Sequence, residues 1–391
     1  MDSSVTQFAS LVLAHVQDAL WALASRLCGS GSAPLVLNGR TYEIQRVLGE
    51  GGFSIVFLVR DTASGQLFAL KKIRCVHGAE SLRGALTEID TTRRFKGKHV
   101  VRIVDVCVTQ DLAGGGPRLG NIPAHDEESG SAKLVYILMP YYARGSVQDV
   151  INSHALHGTR YDEREMLQTF LDVCAAVRRM HEYHVGKPDA GAETAAAAYD
   201  TEIAVATAAP LIDEPSMHAK PYGGPSSDSL ATSAARPYAH RDLKPANIML
   251  DDDGSAVLVD FGSAIPARVH IRSRREAVSH QDMAAEHSSM PYRAPELFDI
   301  KTDTTLDEQT DIWSLGCVLY AMAFLHSPFE THDTTEQGGS VALAVTNGAY
   351  RMPEGYSEAT RNLIAACLVD AASRPRIAQV EAAAAAALDA L

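Results

Sequence analysis

The sequence has few cysteines and no excess of basic residues, and each absence excludes a class of protein. The six cysteines are scattered along 391 residues without a CxxC pair, so neither a zinc site nor a disulfide framework is predicted. A formal net charge of -13 argues against a surface that binds nucleic-acid phosphates, because such a surface needs clustered Lys and Arg. We therefore expect a protein of a reducing, cytoplasmic compartment with no nucleic-acid partner.

The sequence also lacks an uninterrupted apolar run long enough to cross a membrane. Residues 8–27 come closest, but His15, Asp18 and Arg26 interrupt them. At about 100° per residue, the apolar side chains of this segment share one face, which predicts an amphipathic helix within an N-terminal extension, 1–40. The helix could lie on a membrane surface or pack on the protein, and the sequence favours neither.

Two regions of different character follow this extension. Short strand-like runs separated by glycine turns fill residues 41–139, among them the run 100–108, whereas helical periodicity dominates 140–391. The pattern predicts an α+β fold with a small β-rich N-terminal lobe and a larger α-helical C-terminal lobe. Residues 112–131 are expected to form a loop insertion and residues 185–237 a low-complexity insertion, for which a functional lid is the alternative.

A glycine-rich turn joins two strands near the start of the smaller lobe. A backbone without Cβ atoms can approach phosphates closely and donate its amides to them. On its own the motif is weak, since Ser54 replaces the third glycine of the usual pattern, and a plain β-turn is the alternative. The candidate nucleotide-binding residues here are Gly49, Glu50, Gly51, Gly52, Phe53, Ser54 and Val56.

A lysine near the end of the third predicted strand strengthens that interpretation. Lys71, with Ala69 before it, offers one ammonium group to the α- and β-phosphates of a nucleotide. Glu88 on the following helix could pair with Lys71 and orient it, and Glu80 is a weaker candidate for this role. A solvated charge on the helix surface is the alternative for Glu88.

The most specific motif is the octapeptide His240–Asn247. Asp242 would orient or accept the proton of an attacking hydroxyl, Lys244 would stabilise the transferring phosphoryl group, and Asn247 would hold a magnesium ion. Asp260 opens an Asp-Phe-Gly triplet and would supply the carboxylate that binds magnesium at the phosphates. Chance produces both motifs in this order very rarely, so two ordinary turns are a negligible alternative.

This ordered set of motifs resembles the protein kinase superfamily over nearly all of residues 41–380. The resemblance implies a bilobal fold, ATP and Mg²⁺ as cofactors, and protein substrates. Lys244 after Asp-Leu is typical of serine/threonine kinases, and Ser289 matches a hydroxyl residue that contacts the catalytic Asp and Lys. The residues expected to line the adenine site are Met139, Pro140, Tyr141 and Tyr142.

The same resemblance assigns structural roles to three other residues. Glu296 is expected to pair with Arg374, and Asp311 to anchor the backbone of the catalytic loop. Four arginines, with His270 and His280 nearby, could hold a phosphate or an acidic substrate, a solvated basic patch being the alternative. These arginines are Arg268, Arg272, Arg274 and Arg275, and the candidate autophosphorylation sites are Ser273, Ser279, Ser288 and Ser289.

Several longer stretches carry a narrower likeness: Gly51–Ser54, Asp260–Ser263, Tyr292–Phe298, Trp313–Met322 and Ser340–Val345. Together they resemble the Numb-associated kinase group. Within it the chain is similar to the branch of small acylated, endomembrane-associated kinases that includes serine/threonine kinase sixteen and a fungal vacuolar relative. The branch implies autophosphorylation, a role in membrane traffic, and a cytoplasmic location that includes the surface of Golgi, endosomal or vacuolar membranes.

The N-terminus departs from this branch at one residue. Animal members begin Met-Gly, but residue 2 is Asp2, so N-myristoylation is not expected. Cys28 follows the predicted amphipathic helix and could be palmitoylated, an unmodified thiol being the alternative. Peripheral membrane association through residues 8–28 is therefore an expectation, and a single acyl anchor would bind only reversibly.

Two rival functions predict different residues. A pseudokinase scaffold that recruits membrane-traffic partners should lack at least one of the residues of phosphoryl transfer, and all are present. A small-molecule or lipid kinase is disfavoured because Ala294–Glu296 and Ser289 would shape a groove for a peptide. The residues of transfer are Lys71, Asp242, Asn247 and Asp260.

Overall fold

The computed structural model describes most of both predicted lobes. The amphipathic segment with Cys28, the loop 112–131 and the insertion as far as residue 234 lie outside the described residues. The described residues are 34–51, 54–76, 78–110, 133–184, 235–331, 334 and 339–391.

The smaller lobe is built on one antiparallel sheet of six strands, in the spatial order β1-β2-β3-β4-β6-β5. The sheet begins at Leu35, ahead of the lobe start predicted at residue 41, because β1 pairs with the first residues of β2. The predicted strand over 100–108 begins only at Asp105. The strands are β1 (Leu35–Leu37), β2 (Arg40–Glu50), β3 (Ser54–Asp61), β4 (Leu67–Cys75), β5 (Asp105–Gln110) and β6 (Lys133–Pro140).

Helix α1 (Ala79–Arg94) packs on one face of this sheet. Its apolar residues Leu82, Ala85, Leu86 and Ile89 recur at the spacing of one helix face, and they contact residues of β4 and β6. The helix ends at Arg94, and the next residue, Phe95, has an extended backbone and a side chain buried in the core of the larger lobe. The central turns of α1 therefore pack on the smaller lobe, while the residue that follows the helix packs on the larger one.

The larger lobe is helical. Its central helix, α5, is buried on almost every side, as expected of a helix that is apolar all round. Side-chain caps at Ser146 and Asp162 begin α2 (Val147–His157) and α3 (Glu163–His181). Helix α4 (Arg274–His287) lies in a segment for which the sequence indicated no helix. The helices are α2 (Val147–His157), α3 (Glu163–His181), α4 (Arg274–His287), α5 (Gln309–Phe324), α6 (Val341–Thr346), α7 (Glu358–Cys367) and α8 (Ile377–Asp389).

Three short antiparallel strand pairs fix the loops of the larger lobe. These pairs are β7 (Tyr238–Ala239) with β10 (Ile265–Pro266), β8 (Ile248–Leu250) with β9 (Ala256–Leu258), and β11 (Val269–Ile271) with β12 (Thr304–Leu306). The predicted α+β architecture, a β-rich lobe followed by a larger helical lobe, is thus confirmed. Within the described part of the chain, none of the helices has the length and apolar character needed to span a bilayer.

Close packing of α5 against α7 makes Gly316 a test of the core. A Cβ atom at Gly316 would lie 2.6 Å from Cys367 Cβ and 3.0 Å from Leu368 Cδ2. We expect Gly316→Ala to lower the free energy of unfolding by about 1–2 kcal/mol, because overpacking outweighs the gain in helix propensity. Urea unfolding beside the wild type measures this change.

The matched control is Gly84→Ala in α1. A Cβ atom at Gly84 meets no atom within 4 Å, so this change should raise the free energy of unfolding by up to about 1 kcal/mol. Stabilisation by Gly316→Ala of the same size would show that the two helices are not closely packed at this point.

Candidate active site

Three charged side chains from separate elements meet between the lobes. The Lys71 ammonium donates to Glu88 Oε1 at 2.7 Å and to Asp260 Oδ1 at 3.0 Å. Lys71 lies on β4, paired with β3 and β6 on either side, Glu88 lies on α1, and Asp260 follows β9. The side chains of Lys71 and Glu88 are each 13% exposed, against 44% for Asp260, so the open side of the cluster is a carboxylate.

Burial and pairing oppose each other in this cluster. Burial favours the neutral form of Lys71, but the carboxylates of Asp260 and Glu88 outweigh it and raise the pKa of the ammonium. Burial also disfavours charge on Asp260, yet Lys71 lowers the pKa of that carboxyl. Burial, with the nearby Asp260 charge, raises the pKa of Glu88 despite its contact with Lys71. With all three groups ionised, the cluster carries one surplus negative charge.

Asp242 is held in place by contacts to both carboxylate oxygens. Its Oδ1 accepts from the Ser289 backbone N–H at 2.8 Å. Its Oδ2 accepts from Lys244 Nζ at 2.8 Å and from Asn247 Nδ2 at 3.1 Å. Lys244 Nζ also donates to Ser289 Oγ at 2.8 Å, which confirms the predicted contacts of Ser289 with this pair.

The backbone before Asp242 is strained and held by a buried carboxylate. Arg241 has a φ of 64°, a left-handed conformation that costs a non-glycine residue about 1–3 kcal/mol. Asp311 accepts from the backbone N–H groups of His240, at 2.7 Å, and Arg241, at 2.9 Å, so its predicted anchoring role is confirmed. His181 Nε2 lies 2.9 Å from the same carboxylate.

His181 escaped the sequence analysis because no motif includes it. It is the last residue of α3 and is buried, a position at which its ring reaches Asp311 across 130 residues of sequence. Together with His240 and the backbone bonds, it lowers the pKa of Asp311 against the effect of burial. A polar residue at the end of an apolar helix face was the only available signal.

The two motifs that carry Asp242 and Asp260 are adjacent in space. The Val259 backbone N–H donates to the Asn247 carbonyl at 2.9 Å, so Asn247 lies beside the residue that precedes Asp260. Asp260 also has a left-handed backbone, with a φ of 62°. The charges of His240 and Lys244 act on its carboxyl group and help to lower its pKa.

Several of the residues predicted to bind a nucleotide are direct partners on neighbouring strands of the sheet. Val56 pairs with Lys71, and Ala69 pairs with Met139 at the end of β6. β6 ends at Pro140, and Tyr141 and Tyr142 follow it. Between β2 and β3, Gly49 pairs with Val56, Glu50 pairs with Ile55, and the Gly51 N–H donates to the Ser54 carbonyl at 2.7 Å. Gly52 and Phe53 lie outside the described residues.

The segment after Asp260 is fixed to the larger lobe by ion pairs. Arg374 binds Glu296 through two contacts, at 2.6 and 2.9 Å, which confirms the predicted pair. Arg268 donates to both carboxylate oxygens of Glu308, at 2.6 and 3.1 Å. Arg268 therefore has a protein partner, and the predicted anion-binding group of four arginines is reduced to three exposed members.

Comparisons with known proteins indicate the same family as the motifs that meet at this site. Residues 42–189 and 234–384 match the protein kinase domain family. The chain is 34% identical to the serine/threonine-protein kinase ppk13 of Schizosaccharomyces pombe, over 85% of this chain and 86% of that protein. It is 33% identical to the serine/threonine-protein kinase ENV7 of Saccharomyces cerevisiae, over 92% and 96% of the two chains. For the human serine/threonine-protein kinase 16 the identity is 31%, over 90% and 92%.

These relatives confirm the likeness to the animal and fungal branch that the longer sequence stretches indicated. The family match covers both lobes and omits only residues 190–233 between its two parts, which lie within the insertion predicted at 185–237. The chain therefore belongs to the protein kinase family, as one of its serine/threonine kinases.

Proposed function

We propose that the protein transfers the γ-phosphoryl group of MgATP to serine or threonine hydroxyls of proteins. The observation that carries this proposal is the meeting of Lys71, Glu88 and Asp260 from three elements, with contacts of 2.7 and 3.0 Å. Asp242 and Asn247 lie next to this cluster, connected to it through the bond between Val259 and Asn247.

The residues around the cluster suit a nucleotide triphosphate. The Lys71 ammonium, aimed by Glu88, would neutralise the α- and β-phosphates. A Cβ atom at Gly49, near the end of β2, would meet no atom within 4 Å, so there is open space beside this backbone that phosphates could fill. Adenine would rest against Met139 and the three residues that follow it, Pro140, Tyr141 and Tyr142.

The donor set also fits magnesium. Asp260 offers a carboxylate of which only Oδ1 is engaged by Lys71, and Asn247 offers its amide Oδ1, because Nδ2 donates to Asp242. Among the described residues no group of three or more His, Cys, Asp or Glu side chains could hold a metal alone. Phosphate oxygens and water would therefore complete the shell, which is how Mg²⁺ is usually bound. Bound Mg²⁺ would offset the surplus negative charge and neutralise charge on the phosphates.

Asp242 is placed to orient the attacking hydroxyl. The N–H donors of Ser289, Lys244 and Asn247 fix both of its oxygens, and its remaining lone pairs can accept the proton of a substrate hydroxyl. Lys244 bridges Asp242 and Ser289 and would stabilise the transferring phosphoryl group. Catalysis then consists of positioning and charge neutralisation by groups that are already in place.

Removing the Asp260 charge tests the metal and phosphate site. Asp260→Asn keeps the shape of the side chain but removes its charge, so we expect phosphate transfer from labelled ATP to fall by roughly 100-fold or more. The matched control Asp252→Asn changes an exposed carboxyl on the turn between β8 and β9, and it should retain wild-type transfer. Equal incorporation by the wild type and Asp260→Asn would point to a contaminating kinase.

The scaffold alternative gives a different outcome in the same assay. A pseudokinase would bind nucleotide without transferring phosphate, so a wild-type protein that binds ATP yet labels no protein substrate would overturn the proposal. Nucleotide binding is followed separately, by the rise in melting temperature with ATP and Mg²⁺.

We also propose autophosphorylation, and the structure ranks the candidate serines. Ser288 is buried, the Ser289 hydroxyl is held by Lys244, and Ser273 caps α4, whereas Ser279 is exposed on that helix. We expect phosphate at Ser279 after incubation with ATP, with loss of that phosphopeptide in Ser279→Ala. Mass-spectrometric mapping measures this, and phosphate confined to Ser288 would contradict it.

A cytoplasmic protein held on Golgi, endosomal or vacuolar membranes, with a role in membrane traffic, completes the proposal. Support comes from the sequence likeness to an endomembrane branch and from the predicted amphipathic segment, 8–28. If Cys28 is acylated, Cys28→Ser should move the protein from the membrane pellet to the supernatant after cell fractionation. Cys75→Ser, at a thiol buried in the smaller lobe, is the control, and unchanged pelleting of Cys28→Ser would exclude this anchor.

A further inference from the structure

Four aromatic side chains pack together where α1 ends against the larger lobe: Phe95, Tyr183, Tyr238 and Phe261. We call this group the aromatic box. The ring centroid of Phe95 lies 5.5 Å from that of Tyr183, 5.3 Å from that of Tyr238 and 6.0 Å from that of Phe261. The two tyrosines meet Phe95 edge to face and each other at 5.9 Å, in the geometry that aromatic pairs prefer.

Arg94 adds a cation to the box. Its Cζ lies 5.8 Å from the ring centre of Tyr183 and 5.4 Å from that of Tyr238. Its Nε is buried, and within the described residues this atom has no hydrogen-bond partner. Two aromatic faces therefore serve as the observed partners of a partly buried guanidinium, an arrangement in which cation–π attraction is strong.

The box includes residues next to both chain segments that carry the carboxylates bound to Lys71. Arg94 is the last residue of α1, the helix that carries Glu88, and the six intervening steps place the two about 9 Å apart along the axis. Phe261 directly follows Asp260 and stacks on Phe95. A displacement of the box would therefore move Glu88 and Asp260 together.

The chain fixes the two tyrosines independently of α1. The Tyr183 carbonyl accepts from the Arg236 N–H at 2.8 Å, so the chain leaves and rejoins the described structure at the box, on either side of residues 185–234. Tyr238 lies on β7, which pairs with β10 in the segment after Phe261. The tyrosines thus belong to the larger lobe, and α1 docks onto them.

We propose that Arg94, Phe95, Tyr183 and Tyr238 are positioning residues for phosphoryl transfer, which hold α1 so that Glu88 and Asp260 both reach Lys71. The inference rests on the proposed function, since it assigns these residues a role in that reaction. None of the four is expected to touch nucleotide or substrate. Loss of the cation or of the rings lowers the fraction of molecules in which the Lys71–Glu88 contact is formed.

Arg94→Met in the full-length protein tests the proposal. Methionine keeps much of the apolar stem but removes the cation, and we expect kcat/KM for ATP to fall about fivefold to tenfold, with KM for the peptide substrate unchanged. Arg94→Lys keeps a cation over the rings and should restore most of the activity. The matched control is Arg93→Met, the same change at the neighbouring residue of α1, which makes no ring contact among the described residues and should behave as the wild type.

A second measurement separates positioning from general stability. Because Arg94 acts in part through Glu88, Arg94→Met should cause a smaller loss in a Glu88→Gln background than in the wild type, so the two changes are not additive. A residue that merely stabilises the fold would lower the melting temperature but leave kcat/KM unchanged well below it. Wild-type kcat/KM in Arg94→Met, or a full additional loss in the double variant, overturns the proposal.

Hydrogen exchange gives a readout that does not depend on activity. The amides of α1 should exchange several-fold faster in Arg94→Met than in Arg93→Met, because the helix is released from the box. If the wild type transfers no phosphate, the proposed function fails, yet this comparison still tests whether the box holds α1. Equal exchange in the two variants contradicts the docking role.

Discussion

The contact of one ammonium group with two carboxylates is the constraint on which the rest of the structure depends. A buried charge is costly unless it is paired, so the contacts with Glu88 and Asp260 stabilise the Lys71 ammonium in its place between the lobes. The three residues come from the sheet, from α1 and from the larger lobe. All of these contacts can therefore form only in one relative position of the two lobes. The space left between the lobes in that position is the cleft. The surplus carboxylate charge attracts a cation to this cleft, and a polyphosphate would need such a cation to offset the repulsion.

In the loop His240–Asn247, a strained backbone places Asp242. The left-handed conformation at Arg241 would relax if nothing opposed it, and the buried Asp311 carboxylate opposes it with two backbone hydrogen bonds. Asp311 in turn needs donors, which His181 and the backbone supply. Strain at the site is thus balanced by a polar network inside the larger lobe.

The sequence predicted which residues meet at the site better than it predicted the residues that hold them in place. Asp242, Asn247 and Asp260 could be singled out because they belong to two motifs that protein kinases carry in a fixed order. His181 and Arg94 could not, since their roles arise from contacts between residues far apart in the chain. The run from Val100 shows the same limit, because its apolar residues suggested a strand.

Val100 and Val101 are apolar for another reason, which only the fold reveals. They precede β5 and are buried in the core of the larger lobe, where the Val101 N–H donates to the Leu258 carbonyl. Helix α4 was missed because its residues are mostly polar and only Ala277 and Ala284 are buried, so it has no apolar stripe. An apolar pattern reports that residues are buried but not which element they pack against, and a helix with only two buried alanines leaves no such pattern.

The three members of the central ion cluster differ in how firmly they are held. Lys71 lies on a strand that is paired on both sides. Asp260 follows β9, and the Val259 N–H just before it donates to the Asn247 carbonyl. Glu88 has no such support, because an α-helix satisfies its own backbone hydrogen bonds and can shift as a rigid body without breaking them. Its position depends on side-chain packing along α1 and at its C-terminal end. Since Ala85 and Ile89 pack on the smaller lobe, contact with the larger lobe falls to Phe95 and Arg94, and the lysine contact can be made or lost by changing packing alone.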